Sequence, residues 1–206
     1  MKNKFLAAVM AAALVLLPLG MNTIESSAEE PTTFAVKFVE EKDEWRFMSG
    51  TSTFDDGAYH RELYYLYEQI KDGDIVVVYN DSDKANDLNL GSTRLSNLTV
   101  ASTTDFTVIY SGKVDLFFAL EGTASAINAP YIDTANVYDE VVCNFNGNIG
   151  TLNFYLDGEI ESTIGCSGTV AHLYGYSPSE ERTYYDYYDF KKDTLAIYNG
   201  GFQTPN

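Results

Sequence analysis

The chain has 206 residues, 45% of them hydrophobic, and carries 13 Lys plus Arg against 30 Asp plus Glu, a formal charge of −17. A surface this acidic repels nucleic acid and anionic membranes, which excludes both as partners, and it makes Ca2+ a ligand to look for. The length suits one domain with a sizeable core.

Residues 1–28 read as a secretory signal peptide. Lys2 and Lys4 supply the positive start, Phe5 to Leu19 the apolar stretch, and Ser26-Ser27-Ala28 the small-residue cleavage site. The apolar stretch is broken by Pro18 and Gly20 and falls short of the roughly 20 residues that crossing a bilayer takes. No later segment is apolar enough to span. The expectation is a secreted, extracellular chain running from Glu29 to Asn206; losing Lys2, Lys4 and Glu25 leaves it a charge of 11 − 29 = −18. It divides into an N-terminal cap (29–73), a coil region (74–176) and a C-terminal cap (177–206).

Phe34-Ala-Val36-Lys-Phe38-Val and Glu44-Trp45-Arg46-Phe47-Met48 predict two short strands around a charged turn at Glu40 to Asp43. After a small-residue loop at 49–57, Asp55 or Asp56 caps a predicted helix over 58–71, with Gly73 just past its end. Leu63, Leu66, Tyr67 and Ile70 make its apolar face, and Asp56 and His60, four apart, share another. Ile75 to Tyr79 is an unbroken β-branched run, as in a buried strand. In the loop 80–87 the carboxylates of Asp81, Asp83 and Asp87 are candidate calcium ligands, although Ala85 stands where a third oxygen donor belongs and the turn glycine is missing.

Glycines then recur at Gly91, Gly112, Gly122, Gly147, Gly158 and Gly168, with an offset of 21 from Gly91 to Gly112 and again from Gly147 to Gly168. Each begins a short run of alternating polar and apolar residues. At an offset of 21, Ile149 falls on Val170, Leu152 on Leu173, Tyr155 on Tyr176 and Thr151 on His172; an offset of 22 sets Ile149 on Ile127 and Phe154 on Ile132. A period near 20 with β-type runs is the mark of a solenoid, in which each coil closes one turn before stacking on the next. Cys143 and Cys166 lie 23 apart, close to one coil, so they are disulfide candidates, while the offset of 21 instead pairs Cys143 with Ile164. Beyond Tyr176, the segment Thr183-Tyr-Tyr-Asp-Tyr-Tyr-Asp189 closes the far end.

The predicted helix-to-strand cap at 60–78 and the coils of 91–176 resemble the right-handed parallel β-helix (pectate-lyase-like) superfamily at the level of fold. The resemblance implies a mostly β chain: a short right-handed solenoid with coils of about 21 residues, an N-terminal strand-and-helix cap and a C-terminal cap. It also brings up polysaccharide lyases, which bind calcium through clustered acids and abstract a proton with Lys or Arg. Arg94 and Lys113 are the Lys and Arg residues of the coils at 91–176, and neither falls beside an acidic cluster in the aligned slots. A hydrolase would need paired carboxylates, for which Asp115 with Asp133 or Asp139 is the candidate.

No motif supplies a reaction centre, so the expected function is a non-catalytic extracellular binding or surface-associated module that contacts a glycan or a surface protein. Tyr184, Tyr185, Tyr187 and Tyr188, interleaved with carboxylates, are its candidate contact residues. A carbohydrate-active enzyme, lyase or hydrolase, and a structural module are the alternatives.

Overall fold

The structure is a computed structural model that describes residues 29–120, 124–138, 141–155 and 162–177 and the strand segments 180–185, 188–189, 195–198 and 201–203. Side chains are described to residue 174, apart from 124, 125, 162 and 163. Strands β1 (Thr33–Val39), β2 (Glu44–Ser49) and β3 (Arg61–Glu62) open the fold. The coils follow as β4 (Ile75–Asn80), β5 (Leu88–Asn89), β6 (Leu95–Ser102), β7 (Thr107–Ile109), β8 (Lys113–Ala119) and β9 (Ala124–Asn128). They continue as β10 (Tyr131–Val137), β11 (Val142–Phe145), β12 (Asn148–Tyr155), β13 (Ser162–Cys166) and β14 (Thr169–Ser177). Strands β15 (Glu180–Tyr185), β16 (Tyr188–Asp189), β17 (Leu195–Tyr198) and β18 (Gly201–Gln203) end it.

Even-numbered strands from β4 to β14 stack in parallel in one sheet, and odd-numbered strands from β5 to β13 stack in parallel in a second. This is a parallel β-solenoid of about four turns. Antiparallel strands cover both ends of the first sheet, with β1 leading to β2 and β3 at one end and β15 and β16 on β14 at the other. Such cover removes the open edge that a solenoid otherwise exposes.

The register measures each coil. Val76 pairs with Leu98 at an offset of 22, Leu98 with Phe117 at 19, Phe117 with Ala135 at 18, Ala135 with Leu152 at 17 and Leu152 with Leu173 at 21. The mean coil is therefore about 19 residues, shorter than the glycine spacing suggests. The offset of 21 is right for the last coil, where Ile149 sits on Val170, Leu152 on Leu173 and Thr151 on His172. The offset of 22 is overturned, because Ile149 pairs with Ile132 and Phe154 with Val137. Both the strands and the turns vary in length from coil to coil, so a single period fits only part of the chain.

Inward residues follow a rhythm of three and then two. Leu95, Leu98 and Val100; Val114, Phe117 and Ala119; Ile132, Ala135 and Val137; and Ile149, Leu152 and Phe154 are all buried in one core. The extra residue in the first step marks a corner, where two successive side chains leave the core before strict alternation resumes. The second sheet meets this layer from the other side, and the rings of Phe117 and Phe145 pack edge to face at 5.3 Å and 85°.

No helix forms over 58–71. Arg61 and Glu62 pair with Phe47 and Arg46 as a strand, and Leu63–Leu66 is a single 3-10 turn. The strand pairing of Arg61 and Glu62 decides the backbone, and the apolar spacing accommodates it. Leu63 and Leu66, three apart, stack on one side of a 3-10 turn, and Leu66 and Ile70 are buried in the core with Leu63 against it. Tyr67, which an α-helix would have turned inward, stays partly exposed and its hydroxyl donates to the Asn89 carbonyl at 2.6 Å. The apolar residues still plug the first coil as the sequence suggests, with a different backbone.

Candidate functional site

In β10 and β12 the residues between core positions face outward and repeat in kind. Thr134, Asn136 and Tyr138 on one coil are followed at an offset of 17 by Thr151, Asn153 and Tyr155. On β14 come His172 and Tyr174, with Tyr176 in register with Tyr155. Parallel register stacks Thr134 on Thr151 and Asn136 on Asn153, and on the next coil His172 and Tyr174 take the same two slots. Parallel strands lie about 4.8 Å apart, so the result is a set of short ladders running along the solenoid axis.

The ladders hold themselves in place. Asn153 Nδ2 donates to Asn136 Oδ1 at 2.9 Å, and the Tyr155 hydroxyl donates to the same oxygen at 3.4 Å. The Tyr138 and Tyr155 rings stack with centroids 5.0 Å apart and an interplanar angle of 18°. Asn136 is buried, whereas Thr134, Tyr138, Thr151, Asn153, Tyr155 and Tyr174 are half-buried and His172 is exposed. Desolvation of the Tyr138 phenol raises its pKa above the ordinary tyrosine value. Nearer the N-terminal cap the same outer face turns apolar, through Val77, Ala101, Phe118 and Leu120 with Ile75, Tyr79, Leu116 and Tyr138 against them. Tyr79 ties the loop after β2 to that patch by donating to the Ser52 carbonyl at 2.5 Å.

Beside the wall, at the corner of the coils, runs a charged column. Arg94 binds Asp115 through Nε at 3.0 and 3.1 Å and through its terminal nitrogen at 2.8 Å. Lys113 Nζ lies 3.7 Å from Asp115 and 2.7 Å from Asp133, and 5.5 Å from the Tyr131 ring centroid. The expectation that neither basic residue meets an acidic cluster is thus overturned, because the register that sets Leu95 on Val114 brings Arg94 one rung from Lys113 and Asp115. The chemistry still disfavours a lyase. The Asp133 hydrogen bond and charge raise the Lys113 pKa, and those of Asp115 raise that of Arg94, so both hold their protons more tightly where proton abstraction needs the reverse. Asp115 and Asp133 do stand on neighbouring rungs, but Lys113 spans them as an ion-paired column; Asp139 lies outside the described residues.

The other sequence candidates fare differently. Asp81, Asp83 and Asp87 are exposed, and among the described residues no group of three His, Cys, Asp or Glu converges to hold a metal. Their loop is ordered instead by the side chains of Asn80 and Ser82 and by ion pairs to the N-terminal strands and turn. The Ser82 amide donates to Asn80 Oδ1 at 3.2 Å, the Lys84 amide to Ser82 Oγ at 3.2 Å, and Lys84 Nζ to Glu40 at 2.5 Å, while Asp81 faces Lys37 at 3.8 Å. Asp56 pairs with Lys37 at 3.0 Å rather than with His60, whose ring packs on Phe54. Among the C-terminal tyrosines, Tyr184 is placed opposite Tyr174, Tyr185 opposite Leu173 and Tyr188 opposite Val170, so their strands extend the wall sheet. Tyr187 lies outside the described residues.

Cys143 and Cys166 are both buried and are not joined by a disulfide. Cys143 stacks on Ile164 and Cys166 on Phe145, which leaves the two cysteines one coil and two residues apart. That offset corresponds to about 8 Å between Cα atoms, beyond the span of a disulfide. Burial also raises the Cys166 thiol pKa, which slows its reaction. Neither thiol is expected to react with an aromatic disulfide reagent in the folded protein, and both are expected to react after unfolding without reductant. A count below two in denaturant would establish a disulfide.

Compared with known protein families, curated proteins and solved structures, the chain matches none. The wall residues were not picked out by sequence reasoning. The signal that finds them is the Thr-x-Asn-x-Tyr pair at an offset of 17, which becomes visible only when each coil is allowed its own length.

Proposed function

We propose that this protein is a secreted, non-catalytic binding module whose wall of Thr134, Asn136, Tyr138, Thr151, Asn153 and Tyr155 receives a neutral polysaccharide. The carrying observation is the repetition of hydroxyl, amide and phenol side chains on successive coils. Amides and hydroxyls match the donors and acceptors of a sugar, and tyrosines offer an apolar body with a polar tip. Because Asn136, Asn153, Tyr138 and Tyr155 already hold one another, a ligand has few rotamers left to freeze, which favours affinity. The charge of −17 selects against polyanionic glycans. Tyr184, set opposite Tyr174 on a strand that continues the same sheet, extends this reading toward the C-terminal cap, whereas Tyr188 is in register with the core residue Val170.

Native affinity electrophoresis in gels cast with neutral polysaccharides, stained afterwards for polymer, tests the proposal. Retardation without clearing is expected in at least one gel. Asn153→Ala with Tyr155→Ala is expected to weaken it about tenfold, the loss of a central hydrogen-bonding and aromatic pair. Tyr184→Ala tests the extension separately, and unchanged retardation confines contact to the coils. A cleared zone replaces binding by a carbohydrate-active enzyme, and no shift in any gel favours a protein partner or a structural role.

A further inference from the structure

We propose that the turn segment at the N-terminal end, 59–68, is a docking site for a cationic stretch of a partner polypeptide, separate from the coil wall. Among the described residues the large hydrophobic side chains that stand exposed are Tyr59 (84%), Tyr64 (64%), Tyr65 (44%), Tyr67 (43%), Tyr131 and Val142. Four of these six fall between positions 59 and 67. Contiguous exposed aromatic surface on a folded protein marks an interaction site more often than chance.

The backbone accounts for the display. In a 3-10 turn residues three apart superpose, so burying Leu63 and Leu66 sends Tyr64 and Tyr65 to the other sides. Their rings meet edge to face at 5.4 Å and 74°, which orders them without covering them. Leu66 and Ile70 in the core, and the Gln69 side chain donating to the Tyr65 carbonyl at 3.0 Å, hold the turn rigid beneath the rings. Tyr67 serves the fold through its bond to Asn89; Tyr59, Tyr64 and Tyr65 stand outside the core.

Charge complementarity names the partner. Over 55–72 the acids Asp55, Asp56, Glu62, Glu68 and Asp72 outnumber Arg61 and Lys71, a balance of 2 − 5 = −3, and all seven are exposed. Asp56 is already paired with Lys37 at 3.0 Å and Glu62 lies 3.8 Å from Arg46, which leaves Asp55, Glu68 and Asp72 as the carboxylates to pair with a partner. Lys71 is itself bound to Glu29 at 2.6 Å. Lysine and arginine side chains use both features at once, seating a cation on a tyrosine face and pairing with the carboxylates at the rim. A neutral polysaccharide would use the rings and hydrogen-bond the carboxylates but gain nothing from their charge. The overall charge of −17 steers a cationic segment inward at long range.

The test titrates the protein calorimetrically with a short lysine- and arginine-rich peptide, with a glutamate-rich peptide of equal length as control. Binding of the cationic peptide alone is expected. Tyr64→Ala with Tyr65→Ala is expected to weaken it about tenfold, the loss of two exposed cation–π contacts. Glu68→Lys, a change on the exposed side of the turn, is expected to weaken it about threefold, and added salt to weaken it further. Because these side chains are exposed, thermal unfolding should match the parent, and Tyr59→Ala, outside the 3-10 turn, gives a second variant expected to weaken binding. Equal affinity for parent and double tyrosine variant reduces the effect to bulk charge and overturns the proposal. So does absence of binding, or loss of polysaccharide retardation on the same tyrosine substitutions. The coil-wall variants are expected to leave peptide binding unchanged, so failure of the glycan reading is told apart from failure of this one.

Discussion

Gly147→Ala is expected to destabilise the fold by about 3 kcal/mol, the upper end of what overpacking a rigid site costs. A Cβ at Gly147 would overlap the Ala129 carbonyl oxygen and lie 2.9 Å from that of Pro130, and one at Gly168 would overlap the Gly147 carbonyl oxygen. The obstacles are backbone atoms of the neighbouring coil, which cannot give way without breaking the rung-to-rung bonds that surround them. Asn146 donates its amide to the Ile127 carbonyl at 2.8 Å, and Asn148 to that of Pro130 at 3.1 Å. Glycine at this corner therefore sets how closely two coils approach. Gly50 is the control. Its φ of +79° disfavours a side chain, but among the described residues nothing lies within 4 Å of the added atom, so Gly50→Ala is expected to cost about 1 kcal/mol. Urea unfolding compares the two; equal midpoints for Gly147→Ala and Gly50→Ala would mean that the corner is looser than its geometry implies.

That corner also explains what the sequence could and could not disclose. Gly112, Gly147 and Gly168 immediately precede strands β8, β12 and β14, so the glycine rhythm is a true image of the coils. It misleads only as a ruler. The step from Ile149 to Val170 is 21 and that from Ile132 to Ile149 is 17, because turn length varies freely while strand register does not. A single offset hides the Thr-x-Asn-x-Tyr repeat, whose two copies lie 17 apart. The mistaken helix has another origin. Leu63, Leu66 and Ile70 fit an α-helical face and a 3-10 turn almost equally, and the decision rests on Arg61 and Glu62 pairing with Phe47 and Arg46, a contact between distant residues that no local window contains.

Asp74→Ala is expected to cost about 3 kcal/mol, since it orphans two donors that now bind a carboxylate at a part-buried junction. Asp74 is 5% exposed and sits where the cap meets the first coil. One carboxylate oxygen accepts the Thr32 amide at 2.8 Å and the other the Lys71 amide at 2.7 Å. Its carbonyl also accepts the Ser96 amide at 3.0 Å, linking the same residue to the second coil. Thr32 leads into β1 and Lys71 follows the 3-10 turn, so a single side chain fastens both pieces of the cap to the solenoid. Asp74→Asn keeps one oxygen acceptor and is expected to lose about half as much. Asp72, exposed and accepting the Arg94 amide at 3.0 Å, is the comparison, with a loss of about 1 kcal/mol expected for Asp72→Ala. Limited proteolysis adds the spatial reading: in Asp74→Ala, cleavage within 29–73 should precede cleavage of the coils, because the cap can detach while the parallel ladder persists. Simultaneous loss of cap and coils would show that the two unfold as one cooperative unit, with Asp74 contributing to the whole rather than to the joint.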